Sequence, residues 1–109
     1  MHFNYYWQSV NYLAQMVWGN KTETGNDLVA RLCEEAGELA QAIRKYEEGV
    51  RFGHDESPGT KEAIYDELQD LLFMTARIAI AYGFNLNDVA KESLRKIYRR
   101  IEKNGKADL

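Results

Sequence analysis

The chain has 109 residues, 45% of them hydrophobic, and its 14 basic and 17 acidic side chains leave a net charge of −3. A chain of that length makes one soluble domain with a true core, burying roughly 65% of the surface its unfolded form exposes, and its balanced charge excludes a global basic field for nucleic acid or an anionic membrane. One cysteine excludes an internal disulfide, no apolar run approaches the roughly 20 residues of a membrane span, and no initial stretch has a signal-peptide pattern, so a cytoplasmic setting is expected.

Apolar residues return every three or four positions in four segments punctuated by Gly, Asn, Ser and Pro, which predicts four helices and no strand. The first runs from about Phe3 to Trp18, with Phe3, Tyr6, Trp7, Val10, Leu13, Ala14 and Val17 as its stripe and Gly19-Asn20 as its stop. The second starts near Asn26 or Asp27, either of which can cap it, and is expected to end at about Glu48 before Gly49; Leu28, Leu32, Leu39, Ile43 and Tyr46 form its buried side. After the polar stretch "GVRFGHDESPGT", Ser57-Pro58 or Thr60 can start a third helix, about Lys61 to Tyr82, which turns apolar on nearly every side across "LLFMTARIAIA". That pattern means deep burial or a subunit interface. Asn85 caps a fourth helix whose Val89, Ala90, Leu94, Ile97 and Ile101 are expected to face inward. The fold class expected is all-α, four-helix bundle-like, a single domain over residues 1–109 completed by dimerisation.

Two of these helices carry acids where a core stripe should run. With Leu28 as zero and about 100° per residue, Glu35 falls near −20° beside Leu39 near +20°, whereas Glu38 lies near −80° and Glu34 near −120°. In "DELQDLL" Glu67 and Asp70 repeat the three-residue spacing next to Leu68 and Leu71. Side chains three apart on a helix have Cβ atoms about 5 to 6 Å apart, so each pair can converge on one point, and facing pairs make a cage of four carboxylates. Anions gathered in a half-buried place repel one another and lose solvation, and a divalent cation offsets both. An all-oxygen ligand set suits Mg²⁺ or Mn²⁺, and neither His2 nor His54 stands in the Glu-x-x-His pattern that a di-iron bundle requires.

"EEAGE", a long spacer and then "DELQDLLF" resemble the E-E-x-x-E and E-x-x-D signature of MazG-like all-α nucleoside triphosphate pyrophosphohydrolases. The resemblance covers roughly Asn26 to Arg100 in architecture, with motif identity confined to Glu34–Leu39 and Asp66–Phe73. It implies Glu35, Glu38, Glu67 and Asp70 as Mg²⁺ ligands, in agreement with the angular reading. Gln69 stands where the family commonly has a small residue, and "KESLRKIYRR" supplies Lys91, Lys96, Arg99 and Arg100 without the family's Asn.

The resemblance implies cleavage of a nucleoside triphosphate between its α and β phosphates, to monophosphate and pyrophosphate, as house-cleaning of the nucleotide pool. The remaining roles follow from reach. Glu34 is the spare carboxylate and can orient or deprotonate the attacking water, or stand in an exposed salt bridge. Lys96 and Arg99 can meet phosphates or remain solvated. Trp18 can stack on a base or pack in the core, and Lys21 can reach a phosphate. Partners expected are the nucleotide and further copies of the chain, as a homodimer or homotetramer, with no nucleic acid polymer and no membrane. Two rivals share these features: a phosphoribosyl-ATP pyrophosphohydrolase, whose family typically places a His soon after the aspartate where this chain has "DLLFMTA", and a non-catalytic helical module with a cation site.

Overall fold

The computed structural model describes residues 3–18, 25–52 and 59–105. Among them there are four α-helices and no strand: α1 (Phe3–Trp18), α2 (Gly25–Phe52), α3 (Lys61–Ala81) and α4 (Leu86–Asn104). The all-α class is therefore met. The chain divides into two compact units, Met1–Asn20 with Ala79–Leu109, and Lys21–Ile78.

In the first unit α1 packs against α4. Val10, Ala79 and Leu86 are its buried apolar residues. The break between α3 and α4 is built by Gly83 at φ 75, where the Phe84 N–H donates to the Ala79 carbonyl at 2.7 Å and the Gly83 N–H to that of Ile80 at 3.1 Å. This pair of bonds closes a helix around a left-handed residue, a conformation that favours glycine. Asn85 then caps α4 as its sequence predicts, its Oδ1 accepting from the Asn87 N–H at 2.8 Å. The inward side expected for α4 is corrected: Leu94 is 59% exposed, and Val89 and Ile101 are also exposed. Ala90 and Ile97 alone of that set are half-buried.

In the second unit α2 and α3 run antiparallel. The Lys61 ammonium at the start of α3 lies 6.0 Å from the ring centroid of Tyr46 near the end of α2, while the acids of the two helices meet further along. Thr60 starts α3, its Oγ1 accepting from the Ala63 N–H at 3.1 Å. Two expectations for α2 are corrected. The helix does not stop at Glu48 but continues through Gly49 to Phe52. A single glycine costs a helix interior only about 1 kcal/mol, and Arg51 in the last turn faces the negative end of the helix dipole. The buried column is Leu28 and Ala42 with half-buried Glu35 between them, whereas Leu32 and Ile43, expected inside, are 37% and 44% exposed.

Candidate metal centre

The fold brings together the four acids whose spacing marked them. One carboxylate oxygen from each of Glu35, Glu38, Glu67 and Asp70 lies within 4.8 Å of the others. Glu35 enters from the buried column of α2, one turn short of Leu39, and Glu38 stands one turn further on. Glu67 and Asp70 answer from α3. Glu35 and Glu67 are half-buried and Asp70 is exposed, so the cluster opens to solvent on one side.

Electrostatics at this point oppose the ionised state. Burial, followed by the charges of Glu38, Asp70 and Glu34 and a side-chain hydrogen bond with Glu38, raises the pKa of Glu35 above the ordinary glutamate value. Glu67 is raised by burial first, then by the charge of Glu38 and a hydrogen bond with it, and by the charges of Asp70 and Glu35. The Oε2 atoms of both Glu35 and Glu67 are buried without a hydrogen-bond partner. A buried carboxylate oxygen without a hydrogen-bond donor can be compensated by a cation instead. The donor chemistry fits a hard divalent ion, since oxygens on opposite sides of Mg²⁺ or Ca²⁺ lie roughly 4 to 5 Å apart.

The other residues singled out by sequence are placed differently. Glu34 is exposed on α2, beyond the edge of the four-acid cluster, although its charge reaches Glu35. Lys96 and Arg99 belong to the first unit, exposed on α4. There Lys96 lines a shallow groove with Phe84, Asp88 and Glu92, and Arg99 sits 3.6 Å from Glu92, which also pairs with Arg95. Lys21 and the side chain of Trp18 lie outside the described residues. Sequence reasoning missed Arg77, which is 6% exposed and whose pKa is lowered by burial. The signal was present: a lone arginine inside "LLFMTARIAIA", seven residues after Asp70 and so on the same side of α3.

Facing i, i+3 acid pairs on antiparallel helices give this all-α chain a carboxylate cluster that could hold a divalent cation. Residues 23–104 match the MazG nucleotide pyrophosphohydrolase domain, most of the chain, and the protein belongs to that family. The family consists of nucleotide pyrophosphohydrolase-type enzymes and is typically dependent on a divalent cation. The chain is also similar to the uncharacterized protein YvdC of Bacillus subtilis (strain 168), 40% identical over 78 residues that cover 68% of this chain and 73% of the relative. No solved structure matches it. No described helix is long and apolar enough to cross a membrane.

Proposed function

We propose that the protein is a Mg²⁺-dependent nucleoside triphosphate pyrophosphohydrolase of the cytoplasm, converting an NTP or dNTP to the monophosphate and pyrophosphate as house-cleaning of the nucleotide pool. The observation that carries this reading is the convergence of Glu35, Glu38, Glu67 and Asp70 within 4.8 Å in a chain of the MazG family. When bound there, Mg²⁺ or Mn²⁺ would screen the phosphate charge and make a water molecule more acidic. Glu35, Glu38, Glu67 and Asp70 would hold the ion, Glu35 and Glu67 as the half-buried pair. Glu34, on the solvent side, orients the attacking water and takes its proton. Substrate contacts by Trp18, Lys21, Lys96 and Arg99 belong to the same proposal and are read out in KM, not in metal affinity.

The proposal includes self-association as a homodimer or a dimer of dimers. Val29, Leu32, Ile43 and Val50 on α2 and Tyr65, Leu68 and Leu72 on α3 are all exposed. Their spacing puts each set on one side of its helix. A contiguous apolar surface of more than a few hundred Å² marks an interaction site. A second copy offers the same surface in return, which a two-fold axis requires.

The test is purified protein with Mg²⁺ and a panel of canonical and modified NTPs and dNTPs, assayed for pyrophosphate. Release from at least one of them, abolished by EDTA and restored by added Mg²⁺, is the expected outcome. A panel left intact while Mg²⁺ still binds would favour a cation-binding module over an enzyme.

A further inference from the structure

Along α2, Arg31, Glu38 and Lys45 follow one another at seven-residue intervals. They therefore stand on one line of the helix, about 10.5 Å apart and within about 20° of a common direction from one to the next. The carboxylate cluster thus has a cation at each end. The two ends are not alike.

At the Lys45 end the chain entering α3 passes against the base of the lysine side chain, which is otherwise exposed. A Cβ added to Gly59 would stand 2.8 Å from the Cβ of Lys45 and 2.4 Å from the backbone N of Tyr46. The next cation, Lys61, lies over the Tyr46 ring. At the Arg31 end the side chain is exposed and forms no ion pair with any described residue, although Asp27, Glu34 and Glu35 lie three or four positions away. Arg77 joins from α3. It lies seven residues after Asp70 on a helix antiparallel to α2, which brings it to the Arg31 end, and it is 6% exposed. A guanidinium stays protonated across the whole working range of pH, so Arg31 keeps its charge whatever the state of the acids.

We propose that Arg31 binds the leaving pyrophosphate. The inference rests on the pyrophosphohydrolase reading and adds a direction to it: the triphosphate lies along α2 with its α-phosphate at the carboxylate cluster and its β,γ end at Arg31. Arg31 is one helical turn, about 6 Å of rise, before Glu35, a separation of the size that divides the first phosphate of a triphosphate from the last. In the reaction the water oxygen bonds to the α-phosphorus, and the bond from that phosphorus to the bridging oxygen breaks. The bridging oxygen departs with the electron pair as part of pyrophosphate, and the water's proton leaves through Glu34. Charge grows on the departing phosphates, where the planar fork of Arg31 can donate two parallel hydrogen bonds.

Titration calorimetry in Mg²⁺ with two probes, inorganic pyrophosphate and a deoxynucleoside monophosphate, tests this. Arg31→Ala should weaken pyrophosphate binding about tenfold or more, as for loss of a charge-assisted bidentate contact, with monophosphate and Mg²⁺ affinities within about twofold of wild type. Arg31→Lys should recover part of the loss. Pyrophosphate binding unchanged in Arg31→Ala, equal loss of both products, or a wild type that binds no pyrophosphate would each overturn the proposal. Turnover by the wild type is scored separately: its absence sinks the pyrophosphohydrolase reading, whereas turnover with an unaltered pyrophosphate affinity in Arg31→Ala sinks only the assignment of Arg31. Circular dichroism confirms the fold of a variant whose substituted side chain is exposed.

Discussion

On one side of α2, Glu35 and Glu38 meet Glu67 and Asp70 of α3; on the adjoining side Val29, Leu32, Ile43 and Val50 stand exposed. Leu28 and Ala42, which α2 buries within its own unit, stand on the acid side of the helix with half-buried Glu35. One helix thus presents a surface suited to a cation and a surface suited to a protein, about a quarter-turn apart. Burial and the neighbouring acids raise the pKa of Glu35 and Glu67, while the apolar side chains of the adjoining row face water.

The largest expected effect comes from the acid side. Glu38 contributes to the raised pKa of both Glu35 and Glu67. A carboxyl group whose folded-state pKa is raised stabilises the fold below its ordinary pKa, and that contribution is lost as pH rises through the raised value. The metal-free protein should therefore lose stability as pH climbs out of the ordinary glutamate range, while added Mg²⁺, which binds the ionised acids, restores more of it at higher pH. Glu38→Gln should abolish turnover by about a thousandfold, in line with loss of a charged group at a catalytic ion, and at the same time raise the thermal midpoint of the metal-free protein at neutral pH. Melting curves with and without EDTA from pH 4 to 8 check both signs. Full activity in this variant, or a lower metal-free midpoint, would break the account of the acid side.

The apolar side carries the next effect. Ile43→Glu places a charge in the middle of the exposed row, where pairing with a second copy would bury it, and the variant should be monomeric by light scattering at concentrations where the wild type is a dimer or larger. A shift of about a hundredfold or more in the dissociation constant is expected from an unpaired charge in a buried contact. The position is 44% exposed in the single chain, so the fold itself should survive. A wild type that is monomeric would remove this side of the comparison.

How much of this was legible depended on what the pattern records. Helical periodicity marked all four helices, and the i, i+3 spacing of the acids located the cluster, because both are local properties of the chain. The spacing could not separate the two sides of α2. Leu28, Leu32, Leu39, Ile43 and Tyr46 read as one buried stripe because helical spacing does not record whether a neighbour covers each side chain. Leu94 on α4 was misplaced for the same reason. Arg77 was overlooked because a single charge in an apolar run looks like an interruption until its seven-residue step from Asp70 is noticed. The run of α2 past Gly49 reflects a small local propensity overruled by the neighbouring helix-forming residues.

Two glycines of the second unit yield the smallest predicted effects, and they should have opposite signs. Gly59 joins the start of α3 to α2 at a distance no side chain tolerates: a Cβ there would stand 2.4 Å from Tyr46 N and 2.6 Å from the Lys45 carbonyl carbon, both backbone atoms of a helix that cannot move aside. Gly59→Ala should therefore destabilise the protein by about 1 to 3 kcal/mol, the range for forced overpacking. Because this junction holds α2 and α3 in register, the variant should weaken Mg²⁺ binding and self-association together, which no change confined to one side of α2 would do. Gly37 lies between the acids of the first motif, and a Cβ there would meet nothing within 4 Å. Gly37→Ala should stabilise the fold by about 0.5 to 1 kcal/mol through helix propensity alone. Urea unfolding of the two variants measures the pair; if both shift in the same direction, close packing of Gly59 against Lys45 and Tyr46 is not what fixes the register of the two helices.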